Sequence, residues 1–279
     1  MRPRYSFSSR HNRKTENIRK QKAKYPSIAE KIIENSDIVL EILDARFSDE
    51  TRNEKFENKV LARGKILVYV FNKSDLVKNF QTRKYAELNP KILVSSTGRK
   101  GVGNLRILIK KLAKKIDKPV DKTSGRITVG IIGYPNVGKS SLINVLIGKS
   151  SAGVSPQSGF TKSLQKLRLT ENIVLLDSPG VIPEEEYSHT DREKIARHAK
   201  VGARDYSKVK EPEMVVFEIM KSHGREIEKF YGVNSDGDSE ILIELVGKKK
   251  GFFKKGGVVD EDKTARMILK DWQEGRIKI

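Results

Sequence analysis

What this sequence lacks narrows it before any motif is read. Its 279 residues contain no cysteine, which removes disulfides, thiolate metal ligands and cysteine nucleophiles together and fits a reducing interior. No disulfide-linked partner is expected. No apolar run approaches the roughly 20 residues that cross a bilayer, and the N-terminus has no apolar signal core. The chain therefore reads as cytoplasmic, with no membrane span. Acids are scarce beside bases: 36 Asp and Glu face 56 Lys and Arg, a formal net charge of +20. That excess is more than solubility requires and points to a polyanion, nucleic acid before an acidic membrane surface.

What is present is enough for a core. With 37% hydrophobic residues, the chain can fill one nucleotide-sized α/β domain and a smaller unit. Residues 1–24 carry nine Arg and Lys against Glu16, a basic arm that is either merely solvated or a polyanion contact. Short, unalternating, β-rich runs at Ile38–Leu43, Ile66–Phe71, Ile92–Val94 and Ile127–Ile132 predict central strands of a mostly parallel sheet. Two more are expected near Leu164–Leu169 and Ile173–Leu176, making six. Helical spacing at Glu54–Ala62, Gln81–Leu88 and Asn104–Ile116 completes a repeated βα pattern. Asp117–Arg126, "DKPVDKTSGR", has the composition of an exposed connector. After about Glu185 helical patterns dominate, ending in Asp260–Glu274, where Ala265, Ile268, Leu269 and Trp272 share a face. The expected division is a basic arm at 1–24, an α/β domain at 25–185 and an all-α domain at 186–279.

Four stretches carry chemistry. "GYPNVGKSS", Gly133 to Ser141, satisfies G-x-x-x-x-G-K-[ST] between a predicted strand and helix. There the backbone around Asn136, Val137 and Gly138 can close on phosphate oxygens. Lys139 can neutralise them, Ser140 can offer a hydroxyl to Mg²⁺, and Ser141 continues the helix N-terminus. Asp177-Ser178-Pro179-Gly180 ends the strand "NIVLLD"; an acid there can hold Mg²⁺ and a glycine can turn its N–H toward a γ-phosphate. Thr161, in the loop between them, is a second candidate Mg²⁺ hydroxyl or a solvated loop residue. "YVFNKSDLV" closes a buried strand with Asn72-Lys73-Ser74-Asp75. A carboxylate such as Asp75 can accept both N1–H and N2–H of guanine, a pair adenine does not offer, while Asn72 and the Lys73 stem support the loop. Ser95-Ser96-Thr97 closes the next strand, where backbone amides can meet the guanine O6.

The set NKSD, SST, GYPNVGKS, Thr161, DSPG resembles the signature elements of a translation-factor-class GTPase in circularly permuted order. It is similar to the YlqF/YawG family of ribosome-biogenesis GTPases over nearly the whole chain. Asp44-Ala45-Arg46 with Arg52-Asn53 matches part of that family's motif after its first strand. "KKKGFFKKGG" followed by "DEDKTARMILKDWQEGRI" resembles its helical ending. Two stretches depart: Phe47-Ser48 replaces a segment that usually holds proline, and an N-terminal Gly-His-Met motif is reduced to His11. The resemblance implies an α/β P-loop GTPase domain with a circularly permuted, six-stranded, mostly parallel sheet, followed by an all-α domain. It also implies GTP and GDP with Mg²⁺, K⁺ held through Asn136, and the large ribosomal subunit or its precursor and rRNA as partners.

Many switches place a water-orienting glutamine after D-x-x-G; here Val181 stands there. The resemblance implies hydrolysis that is slow alone and completed from elsewhere, with His11 one candidate to position water. His189, His198 and His223 lack ligand-like spacing and read as structural. Phe252 and Phe253 among Lys248, Lys249, Lys250, Lys254 and Lys255 fit RNA contacts, or equally a helix end capped by Gly251 with its rings packed inward. Two rivals to an enzyme acting on GTP stay open: a non-catalytic scaffold that uses GTP to order itself for RNA binding, and a P-loop kinase.

Overall fold

The computed structural model describes residues 28–117, 125–148, 165–178, 180–182 and 191–279. Six strands form one sheet: β1 (Ile38–Asp44), β2 (Ile66–Asn72), β3 (Lys91–Leu93), β4 (Ile127–Gly133), β5 (Gln165–Arg168) and β6 (Ile173–Asp177). Their spatial order is β3-β2-β1-β4-β6-β5, with every pairing parallel except β5 on β6. β1 is buried along its whole length, which is why its sequence, IVLEILD, does not alternate: helices cover both faces of a parallel sheet.

On one face, helix α1 (28–34) packs Ile32 and Ile33 against the sheet together with Phe56 and Val60 of α3 (Glu54–Ala62). A single turn, α2 (Ser48–Thr51), precedes α3. On the other face lie α4 (Val102–Ala113) and α5 (Lys139–Ile147), burying Leu105, Ile109, Leu142 and Leu146. That second core does not stop at the sheet. It continues into α6 (Arg192–Lys200), α7 (Pro212–Tyr231), α8 (Ser239–Lys250) and α9 (Glu261–Gln273) through Ile219, Leu242 and Trp272. The expected inward face of α9 is there: Ala265, Ile268, Leu269 and Trp272 are all fully buried. α7 bends at His223, where the backbone leaves helical values and the imidazole lies against Trp272, ring centroids 5.3 Å apart.

Most elements fall where the spacing put them. One does not: Gln81–Leu88, expected as a helix, has only a 3-10 turn at Thr82–Tyr85. Tyr85 and Phe80 instead pack tilted against Phe71, ring centroids 5.0 and 4.9 Å away, and this aromatic packing, not a continued helix ladder, fixes the segment. The connector expected at Asp117–Arg126 and the boundary expected near Glu185 fall mainly on residues outside those described, as do the basic arm, His11, Thr161 and His189.

Arg52-Asn53 proves to be scaffold. The Asn53 side chain caps α3 by accepting from Phe56 N, and its own N–H donates to Glu41 Oε1 at 2.8 Å. Arg52 grips Glu57 through two bonds of 2.9 and 2.8 Å, and Tyr69 Oη donates to the same carboxylate at 2.9 Å. Burial, with Glu57 nearby, pushes the Glu41 carboxyl well above its ordinary range.

Candidate functional site

Parallel register brings the motif residues to one edge. Asp44 pairs with Asn72, Ile42 with Gly133 and Ile131 with Asp177, so four loops leave adjacent strands at their C-terminal ends, where open α/β sheets hold ligands. At the phosphate loop, Gly138 begins α5 with φ +94°, and a Cβ there would lie 2.4 Å from Asn72 Nδ2; both facts require glycine. Gly180 lies so close to the same loop that a Cβ would approach Pro135 Cα to 2.5 Å. The D-x-x-G segment and the phosphate loop are therefore in direct backbone contact.

Lys139 is buried and its Nζ donates to the Gly133 and Tyr134 carbonyls at 2.9 and 2.6 Å. Burial pulls the ammonium down to about 8, against the attraction of Asp177. Burial likewise pushes the Asp177 carboxyl up to about 6, opposed by Lys139 and a hydrogen bond with Ser140. Asp177 Oδ1 and Ser178 Oγ are buried with no hydrogen-bond partner, whereas the exposed Ser140 and half-buried Ser141 begin α5. Val137 is fully buried.

Asn72 ties three loops together. Its Nδ2 donates to Val137 O at 2.8 Å, while its Oδ1 accepts from Ser96 N at 3.1 Å and Ser96 Oγ at 2.8 Å. Ser95 is buried and its Oγ accepts from Gly98 N at 2.9 Å, while Thr97 is exposed. Lys73 turns the chain with φ 60°, and Asp75 is left exposed on the following 3-10 turn. NKSD, SST and the phosphate loop, far apart in the chain, thus form one hydrogen-bonded unit.

Sequence reasoning missed how Asp44-Ala45-Arg46 enters this unit. Asp44 is fully buried and receives Lys73 Nζ at 2.7 Å and the Arg46 guanidinium at 3.0 and 2.8 Å. Burial alone would push the Asp44 carboxyl up, but these two cations outweigh it and hold it well below the usual carboxylate range. Arg46 in turn donates to Trp272 O on α9 at 3.0 Å. A second link is made by Asn136, whose Nδ2 donates to Gly202 O at 2.7 Å. Phe47, at the departure from the expected proline, is buried 5.7 Å from the Trp272 ring. Val181 is also buried, its N–H donating to Gly133 O at 3.2 Å, so its isopropyl group belongs to the core.

Comparison with known proteins agrees with this geometry. Residues 128–249 match the family model described as 50S ribosome-binding GTPase. An uncharacterized GTP-binding protein of Methanocaldococcus jannaschii is 38% identical over 266 residues, covering 93% of this chain and 68% of that protein. Nucleolar GTP-binding protein 2 of Pneumocystis carinii is 32% identical over 88% of this chain, which spans about half (51%) of that longer protein. GNP-bound YlqF from T. maritima superposes with a TM-score of 0.60 at 22% identity, covering 89% of this chain and 93% of that one, a likeness of fold. With the NKSD loop preceding the phosphate loop in the chain but bonded to it in space, the chain belongs to the circularly permuted YlqF/YawG family of GTP-binding GTPases.

Proposed function

We propose that the protein hydrolyses GTP to GDP and phosphate and acts as a nucleotide-switched factor in large ribosomal subunit assembly, bound to rRNA. The observation that carries the nucleotide part is Asn72, which joins the phosphate loop to SST while Asp75 stands exposed beside them. In this reading Asp75 accepts the guanine N1–H and N2–H, with Asn72 and Lys73 holding its loop and Ser95, Ser96 and Thr97 presenting amides to O6. The backbone of Asn136 to Ser141 cradles phosphates, Lys139 neutralises them, and the Gly180 N–H faces the γ-phosphate.

The donor set suits Mg²⁺, a hard cation that takes oxygen ligands. Asp177 has an unpartnered buried carboxylate oxygen and Ser140 adds a hydroxyl; Thr161 is the third candidate. When bound, Mg²⁺ neutralises charge on the phosphates. The K⁺ reading assigns the Asn136 side chain, whose amide already donates to Gly202 O, to a monovalent cation.

Buried Val181 orients no water, so slow hydrolysis is proposed, with His11 or a ribosomal particle completing the site. The same valine favours the second reading, a scaffold that binds GTP without turning it over. GTP turnover, measured with and without large ribosomal subunits in K⁺ and in Na⁺, separates them: stimulation by subunits is expected, and no turnover in any condition overturns the enzyme reading. The protein is proposed to act in the cytoplasm; several relatives carry nucleolar names, and imaging of tagged protein that shows it concentrated in a nucleolus would overturn the cytoplasmic location.

A further inference from the structure

A net charge of +20 has to reside on particular surfaces. In the C-terminal helices many cations are already matched. Lys248 pairs with Glu244 at 2.6 Å, Lys221 with Glu218 at 2.8 Å, Arg266 with Asp262 at 2.8 Å and Arg276 with Asp271 at 2.7 Å. Lys249 donates to Tyr231 O at 2.7 Å, and Lys263 covers the Phe252 ring at 4.2 Å. The stretch picked out by its lysines and phenylalanines is thus partly neutralised within the molecule, although Phe253 remains exposed.

Helix α4 differs. Arg99, Lys100, Arg106, Lys110, Lys111, Lys114 and Lys115 are all exposed, and no acid occurs between Ser95 and Ile116. Among the described residues none of the seven forms an ion pair; Arg106 makes only a 3.4 Å bond to Leu169 O. The inward positions Val102, Leu105 and Ile109 are buried in the core, so the cations are confined to the solvent face. Arg106, Lys110 and Lys114 form one i+4 row, at about 6 Å per step, and Lys111 and Lys115 begin a second.

We propose that the solvent face of α4 docks the phosphate backbone of double-stranded RNA; the proposal rests on the reading of the chain as an rRNA-binding factor and gives it a surface. Charge complementarity selects a polyanion. A membrane occupant would need an apolar stripe to insert, but that stripe of α4 faces the core and Ile107 alone is large, apolar and exposed on the outer face. The face has no aromatic ring on which unpaired bases could stack, and lysine rows contact phosphates without reading sequence.

The test compares the full chain with two exposed-surface variants. One carries Lys110→Gln, Lys111→Gln, Lys114→Gln and Lys115→Gln. The other carries Lys248→Gln, Lys250→Gln, Lys254→Gln and Lys255→Gln. Each is titrated into a fluorescent RNA hairpin over a range of salt, with circular dichroism and fluorescent-GDP binding checking that it folds. The α4 variant should bind at least about tenfold more weakly, its log–log salt slope smaller by about 3. Unchanged affinity and slope in the α4 variant, with loss in the other, overturns the α4 surface and leaves the RNA reading standing. If the unsubstituted protein binds no RNA, both fall. Phosphatidylserine vesicles bound as tightly as the hairpin, and lost with the same four lysines, overturn RNA as the occupant.

Discussion

Lys139 and Asp177 place two opposite charges in a desolvated site, and each favours the charged form of the other by less than burial disfavours it. The raised carboxyl means that the folded chain binds the extra proton between the ordinary value of 3.8 and about 6. Stability of the nucleotide-free protein therefore falls as pH rises through that window, by on the order of 1–3 kcal/mol. For the ammonium, lowered from 10.5 to about 8, the unfolded chain binds more protons above about 8, so stability rises again toward 10.5. A minimum between about pH 6 and 8 is expected. Asp177→Asn and Lys139→Met should each raise neutral-pH stability in chemical denaturation while weakening GTP binding. Substitutions that destabilise the apo protein at pH 7 would refute the idea that the site is strained for its ligand.

Among elements, β1 has the central place, and the permuted order makes it the strand from which Asp44 and Arg46 emerge between the guanine loop and α9. Asp44 holds Lys73, and Arg46 holds both Asp44 and the Trp272 carbonyl. Removing one partner of a buried ionic cluster leaves an uncompensated charge, at a cost of about 3–5 kcal/mol. Arg46→Ala should therefore lower the unfolding midpoint and loosen fluorescent GDP more than the base-independent binding of inorganic triphosphate. Equal loss of both ligands would show only general damage. Arg46→Lys should not restore the wild-type behaviour, because an ammonium cannot make the paired bonds of the guanidinium.

For the whole molecule, one core joins sheet and C-terminal helices, and Asn136–Gly202 and Arg46–Trp272 tie those helices to the phosphate and guanine loops. Because Gly180 also abuts Pro135, a change at the γ-phosphate reaches loops already bonded to α9 and to the segment after α6. Nucleotide state is expected to change the docking of the helices. Small-angle scattering and hydrogen exchange in GDP and in a GTP analogue should differ at Gly202 and Trp272; identical profiles would refute the coupling.

The strands, Glu54–Ala62, α5 and the motif loops were legible because unalternating apolar runs and fixed glycine spacings are local consequences of burial and turn geometry. The 3-10 turn at Thr82–Tyr85 was not, since aromatic packing against Phe71 overrides helical periodicity. Nor was the Arg46 clamp: its Trp272 partner lies 226 residues away, and no periodicity encodes such a contact. By itself the sequence determined that the strands are central and that cations exceed acids, and it carried the loop spacings on which the proposed phosphate and guanine contacts rest. Tertiary structure alone decided which cations stay unpaired and which loops share Asn72, because ion pairing and hydrogen bonding depend on distances that chain folding creates.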